Sequence, residues 1–398
     1  MDGVRRRRNG YLRAVTDHQQ GGPPGDRLGV EEEFLVVDPD TRRVVPAAHE
    51  VRRAGRTGAA EPDGHAAGWA GIEKELSEYQ VEVATRPCAD LADLRGRLED
   101  ARGMLTAAAT RAGYAIMASG TAVLGGSGPL PLADDERYGR MHREYRRILS
   151  GQAVCGCHIH LQMPDRATAL DTSNRLRVWL PVLQSLAGNS PFFDGSDTGY
   201  ASWRMLMVDR WPVSGPAPFW HSEEQYDALV SSLVRAGVML DAGMVYWYLR
   251  PSTHVPTLEL RVCDVMPEVD DVLLVAGLAR ALVRVAAAEA GDGVAAVDVP
   301  VEMLRAAHWR AARDGLAGAG VDVLTGAAVP AADLARRLVD RVVEVLGRDA
   351  ETEQLDHLLE RLLRRGSPAQ RQRARFRERG DLRDVVDGMV APVAQPTR

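Results

Sequence analysis

LGVEEEFLVVDP, residues 28–39, sets three consecutive glutamates inside a run whose other members, Leu28, Val30, Phe34, Leu35, Val36 and Val37, belong in a core. Successive side chains of a strand point to opposite faces. Glu31 and Glu33 therefore share one face with Gly29, while Glu32 joins Val30, Phe34 and Val36 on the other. Two carboxylates two residues apart repel each other, and burial favours them only if a cation or a ring of donors sits between them. The plain alternative is a strand end at which the glutamates simply reach water. Other strands of the same kind are needed to decide.

Three further stretches carry polar groups where a core would reject them. In CGCHIHL, residues 155–161, His158 and His160 share a face and Cys157, Ile159 and Leu161 the other. In TLELRV, residues 257–262, Glu259 and Arg261 lie opposite Leu258, Leu260 and Val262. KELSEYQVEVAT, residues 74–85, holds Glu75, Glu78 and Glu82, but Glu75 and Glu82 differ in parity. A regular strand cannot turn both inward, so Glu75 lies ahead of the strand or a bulge intervenes.

If these strands neighbour one another, one sheet face collects carboxylates, imidazoles and a guanidinium, and the reverse face is apolar and covered by helices. Carboxylates with one or two imidazoles suit Mg²⁺ or Mn²⁺, and magnesium commonly serves by bridging substrate phosphates, which points to an ATP reaction. Each piece has an ordinary counterpart: a hydrogen-bonded histidine pair, or a solvated Glu-x-Arg ion pair. Cys155, Cys157, His158 and His160 offer zinc as another reading, although C-x-C-H-x-H matches no common structural site and parity separates Cys157 from the histidines. There is neither a G-x-x-x-x-G-K-[ST] phosphate loop nor a G-x-S-x-G nucleophile turn.

The chain of 398 residues has a hydrophobic content of 45%, a charged content of 26% and a net charge of −6. That is a globular composition, with no basic excess to suggest nucleic acid. Lys74 is the only lysine, which leaves little room for lysine-based catalysis. The start, MDGVRRRRNGYLRAV, lacks the apolar run of a signal peptide and no later run suits a membrane span, so the cytoplasm is expected. Four cysteines at irregular spacing argue for reduced thiols.

Along the chain, residues 1–27 read as a flexible arm and 28–390 as a single catalytic unit, mainly helical over 268–390. Strands are expected at 28–37, 76–85, 114–120 and 153–163. Residues 244–251 and 257–265 read as a hairpin. A Gly/Ala/Arg-rich loop is expected over 52–71, and helices over 89–113, from about Asp165 with a break near Pro181, and over 222–236. Residues 190–220, dense in Gly, Pro, Asp and aromatics, read as a long structured loop. The layout is α+β with an antiparallel sheet.

LGVEEEFLVVDP, ELSEYQVEVAT, GCHIHLQMPD, LAGNSPFFDGSDTGYASWR and TLELRVCDV, in this order, resemble the glutamate–cysteine ligase type 2 family, the YbdK-like carboxylate-amine ligases. The likeness runs from about residue 25 to about 385. It implies a curved antiparallel sheet like that of the glutamine synthetase catalytic domain, helices on its outer face, and a concave face for ATP and divalent metals. It also implies that Glu31, Glu33, Glu75, Glu82, His158 and Glu259 are metal ligands, with Glu75 just ahead of its strand. Arg261 and Glu33 would lie against ATP, and Arg204 would clamp a substrate carboxylate. Cys155 and Cys157 depart from the small or aliphatic residues commoner there, which raises a question of redox sensitivity.

The resulting expectation is an ATP-dependent ligase joining glutamate and cysteine through an acyl phosphate, with Mg²⁺, or Mn²⁺ in its place. The competing readings are another acid or amine, a metal-dependent hydrolase, or a binding protein on the same fold. Small-molecule substrates are expected, without nucleic-acid or membrane partners, and a homodimer from how commonly enzymes pair.

Overall fold

The structure, a computed structural model, describes residues 22–58 and 71–390. In chain order its strands are β1 (Leu28–Val37), β2 (Glu73–Lys74), β3 (Gln80–Ala84), β4 (Ala115–Met117), β5 (Gly156–Gln162), β6 (Phe192–Phe193) and β7 (Ser196–Asp197). They continue with β8 (Ser214–Gly215), β9 (Tyr246–Trp247), β10 (Leu249–Pro251), β11 (Thr257–Asp264), β12 (Ala319–Asp322) and β13 (Ala327–Pro330). One seven-stranded sheet runs in the order β10-β11-β5-β1-β3-β2, with β4 also paired to β1. Every pair within it is antiparallel. The expected α+β class therefore holds, with the glutamate-rich β1 in the middle.

The register decides the two faces, because residues directly opposite each other in a sheet point the same way. Glu31 lies opposite His158, Glu33 opposite Glu82, and Glu259 opposite both His160 and Arg250. The reverse face carries Val30, Ile159, Leu161, Leu258 and Leu260, all at most 1% exposed. They pack against Leu91, Leu94 and Leu98 of the helix Leu91–Arg111 and against the apolar helix Val269–Gly291. Burial of a full Leu or Ile side chain stabilises by roughly 1.5–3 kcal/mol, so this layer is the main glue of the fold.

Glu32 is the exception on that reverse face. It is 0% exposed and receives Arg102 Nε at 2.9 Å and Nη2 at 2.5 Å; Arg102 also donates to the carbonyls of Pro267 and Met266 at 2.7 and 2.8 Å. The pair ties β1 through the helix Leu91–Arg111 to the segment entering Val269–Gly291. The three glutamates of the run thus divide two to one between the faces.

Several local expectations need correction. The strand expected over 76–85 begins only at Gln80, because Ser77 turns the chain: its carbonyl accepts from Gln80 N at 3.1 Å and its hydroxyl from Tyr79 N at 3.0 Å. Glu75 lies between β2 and β3, outside either strand, which resolves the parity conflict. Residues 52–58 of the expected loop region belong to a helix, Ala48–Gly58, and 59–70 fall outside the described residues. The helix after Asp165 divides into Arg166–Leu176 and Leu180–Ala187, with Pro181 in the first turn of the second, where its missing N–H costs nothing.

The helical C-terminal third is interrupted by the β12–β13 hairpin, whose turn Asp322 caps from Leu324 N at 3.1 Å. Of the expected arm, residues 1–21 lie outside the described residues. Residues 22–27 run beside β5, with Gly25 N donating to Gln162 O at 2.9 Å and Gln162 N to Arg27 O at 3.0 Å. No helix among the described residues is long and apolar enough to cross a membrane.

One buried group makes stability pH-dependent. His308, on the helix Val301–Asp314, is 2% exposed, bonds Gln184 Oε1 through Nδ1 at 2.5 Å and has no partner for Nε2. Burial pushes its pKa from 6.5 down to about 3. The unfolded chain takes up this proton first, so stability is whole above about pH 6.5 and declines as pH falls toward 3. The expected fall in the urea midpoint corresponds to at most about 1.4 kcal/mol per pH unit, and His308→Gln should flatten it.

Candidate active site

β1, β3, β5 and β11 bring Glu31, Glu33, Glu82, His158 and Glu259 to one sheet face, and the link between β2 and β3 adds Glu75. Glu31 sits between two imidazoles, with Oε2 3.6 Å from His158 Nδ1 and Oε1 3.2 Å from His160 Nε2. His160 is held on its other side by Thr257 Oγ1 at 2.8 Å. Glu31, His158 and Glu259 each offer a ligand atom, all within 4.8 Å of one another, and His158 Nε2 is buried without a hydrogen-bond partner.

The carboxylates fall into two electrostatic groups. Burial works against ionising Glu31, but His160 and His158 outweigh it and hold the carboxyl well below its usual range. Burial likewise opposes Glu259, and Arg250 and Arg261 overcome it. Arg250 reaches Glu259 in a bidentate pair, 2.9 and 3.2 Å, and Arg261 bonds the same carboxylate. For Glu33 the charges of Arg204 and Arg261 and the Gly156 N–H are outweighed, and Glu82 is surrounded by other carboxylates. Burial and then the charge of Glu75 push Glu33 up to about 7 and Glu82 well above the ordinary value. A face that holds carboxylates against their own repulsion is one that a divalent cation would stabilise.

The histidines differ too. Burial and then Arg261 push His158 down to about 4, so it stands as a neutral imidazole able to ligate a metal. For His160 burial acts downward, but Glu31 prevails and raises it.

Beside this face lies a cavity of about 190 Å³ lined by Glu33, Glu75, His158, Arg204 and Arg261. Arg204 comes from the helix Trp203–Val208 and is 3% exposed. Its backbone N–H donates to Ser190 Oγ at 3.0 Å, and its guanidinium lies 3.8 Å from Asp264. Asp264 in turn accepts from Asn189 N, Ser190 Oγ and Ser202 Oγ at 2.7–2.8 Å, which pins the start of the long structured loop expected over 190–220 against β11.

The guanidinium passes over Gly156. A Cβ there would stand 2.2 Å from Arg204 Nη2 and 2.9 Å from His158 Nε2. Gly156→Ala is expected to displace both groups and cut turnover by about 10²-fold, with the fold intact by circular dichroism. An unchanged rate would mean that neither group needs its present position.

The zinc reading fails here. Cys157 faces the apolar layer and Cys155 belongs to a separate core cluster; burial pushes both thiols well up, far from thiolate. Among the described residues all four cysteines are free and buried.

Residues 27–388 match the family model described as Glutamate-cysteine ligase family 2 (GCS2). A provisionally named glutamate–cysteine ligase 2 of Salinispora arenicola is 44% identical over 366 residues, covering 92% of this chain and 94% of that protein. One of Saccharopolyspora erythraea is 44% identical over 360 residues, covering 90% and 92%. This chain belongs to glutamate–cysteine ligase family 2. Among solved structures, the glutamate–cysteine ligase of Francisella tularensis in complex with AMP aligns with a TM-score of 0.68 at 14% identity, covering 93% of this chain and 89% of that one. The bifunctional glutathione synthetase of Pasteurella multocida aligns at 0.67 and 16%, covering 96% and 53%. At such identities these likenesses concern the fold.

A ligase of this family has to bring a nucleotide, an acid and an amine together, and sequence reasoning found only part of the equipment. It missed Arg250, whose position opposite Glu259 depends on hairpin register. It also missed the aromatic wall of the cavity, Tyr138, Trp211, Tyr246 and Tyr248. For Tyr138 and Trp211 nothing local distinguishes a cavity-facing aromatic from a core one. For Tyr246, Tyr248 and Arg250 the shared parity within MVYWYLRP was the available signal.

Proposed function

We propose that this ligase forms a γ-glutamyl amide, with glutamate as the acid and cysteine as the amine, through an acyl phosphate made at the expense of ATP. The observation that carries the reading is the meeting of the neighbouring carboxylates Glu33, Glu75 and Glu82 with the Glu31–His158–Glu259 cluster beside the cavity that Arg204 and Arg261 enter. Those six residues would hold Mg²⁺, and Mn²⁺ in its place, supplying charge neutralisation at a transferring phosphoryl group. Arg261, with Glu33, would lie against the nucleotide phosphates, the guanidinium adding positive charge worth roughly 10³-fold by analogy with arginine fingers.

Arg204 would clamp the substrate carboxylate. Its guanidinium is buried, its Nε has no partner, and Asp264 holds its helix in place without a close bidentate pair. No side-chain nucleophile is required, because the activated carboxyl is the electrophile and the amine the nucleophile.

The proposal includes residues 28–390 as one catalytic unit, small-molecule substrates, a cytoplasmic location and a homodimer, the last on the general preference of enzymes for two-fold pairing. The test is ADP release with Mg²⁺ against a panel of amino acids and amines, followed by mass spectrometry of the product. Release that requires glutamate and cysteine together supports the reading. Release with water alone as acceptor would make the protein a hydrolase, and a different acid or amine would replace the substrate pair.

A further inference from the structure

An amine that attacks an acyl phosphate must first lose a proton. Alkylammonium groups with pKa values of about 8–10 are mostly protonated at pH 7 and carry no free electron pair. The carboxylates of the sheet face are poor candidates for accepting it. Glu31 and Glu259 are engaged with histidine and arginine, and the others are assigned above to cations. The base has to come from elsewhere on the cavity wall.

Three tyrosines line that wall, and Tyr248 is the one whose hydroxyl a carboxylate accepts among the described residues: its Oη donates to Asp209 Oδ1 at 2.5 Å. Asp209 also receives Ser214 Oγ at 3.1 Å. Both ends of this pair are tied to the site. The backbone carbonyl of Tyr248 accepts from Arg261 N at 2.9 Å, and its N–H donates to Gly215 O at 2.9 Å. Asp209 caps the helix that carries Arg204, with its N–H on Met205 O at 2.9 Å. Tyr248 is 2% exposed, and Asp209, an exposed residue at the helix end, turns its carboxyl inward onto Tyr248 and Ser214, so the pair runs from the cavity wall to the edge of solvent.

We propose that Tyr248 and Asp209 form the relay that deprotonates the acceptor amine, an inference that rests on the ligase reading above. The ammonium gives one proton to Tyr248 Oη as the tyrosine's own proton passes to Asp209 Oδ1 and on to solvent. The freed nitrogen pair attacks the acyl carbon, the bond from that carbon to the phosphate oxygen breaks, and the departing phosphate takes the second nitrogen proton. The products are the amide, hydrogen phosphate and the proton released through Asp209.

The charged and titratable groups facing the relay come from two helices. Arg204 precedes Asp209 on its own helix, and Arg305 and His308 come from Val301–Asp314. His308 packs its ring 4.5 Å from that of Tyr248. Arg305 lies over Gly215, 3.2 Å from where a Cβ would stand, and its charge favours an ionised Asp209 ready to accept a proton. Burial acts the other way and raises the Asp209 pKa overall, toward the range of a useful base.

The experiment compares two nucleophiles. Hydroxylamine is neutral at pH 7 and needs no base, so it reports formation of the acyl phosphate alone, whereas the amine reports the relay as well. In Tyr248→Phe we expect kcat with the amine to fall by about 10²-fold or more, with its KM nearly unchanged. Hydroxamate formation should stay within a few-fold of wild type, and raising the pH should partly restore the amine reaction. Asp209→Asn, which keeps an acceptor at the same place and sits at an exposed helix end, should behave alike and carries the test independently of how Tyr248→Phe folds.

Equal losses with both nucleophiles in Asp209→Asn, or a rise in the amine KM alone, would overturn the relay and leave the pair a structural or binding contact. A wild-type protein that makes neither amide nor hydroxamate would instead overturn the ligase reading.

Discussion

Glu33→Gln is expected to lower ATP turnover by about 10³-fold or more while leaving the folded state at least as stable as the wild type. Glu33 is 9% exposed, accepts the Gly156 N–H at 2.6 Å and feels the charge of Glu75 more strongly than those of Arg204 and Arg261, neither of which pairs closely with it. Its pKa in the fold, about 7 against an ordinary 4.5, lies above the unfolded value. Ionising it therefore disfavours the folded state, and that penalty grows as pH rises from 4.5 to 7. Glutamine keeps the shape and an acceptor for Gly156 but removes the charge, so without divalent ions the variant should melt no lower than wild type at pH 8. Activity and stability should separate. A variant with normal ADP release would remove Glu33 from the ion-binding set, and one that loses activity only by unfolding would make it a structural residue.

Its neighbour should do the reverse. Glu32→Ala is expected to destabilise the fold by about 3–5 kcal/mol, because it strands Arg102 beneath the sheet without its counter-charge. Arg102 keeps only the carbonyls of Pro267 and Met266, which cannot neutralise a guanidinium. Urea titration would show a lower midpoint, whereas activity per folded molecule should be retained. The double variant Glu32→Leu with Arg102→Leu should recover much of the loss, since apolar replacement of a whole buried pair is often neutral. A small effect in the single variant, below about 1 kcal/mol, would mean that water reaches Arg102 and that the pair is effectively solvated.

That adjacent glutamates go to opposite faces was legible as parity in LGVEEEFLVVDP, whereas the partners that set the two outcomes, Arg102 for Glu32 and Glu75 for Glu33, were not. The sidedness of His158 with His160 and of Glu259 with Arg261 was legible too, because each depends on a period of two within one strand. The conflict between Glu75 and Glu82 was legible as a conflict, and its solution, a turn at Ser77 that shortens β3, was not. The β12–β13 hairpin escaped notice for a related reason: four-residue strands within an Ala- and Val-rich stretch carry too few alternations to stand out from helical periodicity.

By itself, then, the sequence determined which side chains share a face on each strand, the α+β class, and, through five ordered blocks, the likeness to the family to which the chain belongs. The tertiary structure alone decided which strands are neighbours and in what register. That is why Glu31 lies opposite His158, why Glu259 meets Arg250 from across the hairpin, and why Tyr248 and Asp209, from separate parts of the chain, share a hydrogen bond at the cavity. The physical reason is one of range. Alternation is written in the covalent geometry of successive residues, whereas pairing and burial follow from how the whole chain hides its apolar surface, and only that second process creates a place where charge must be answered by a cation.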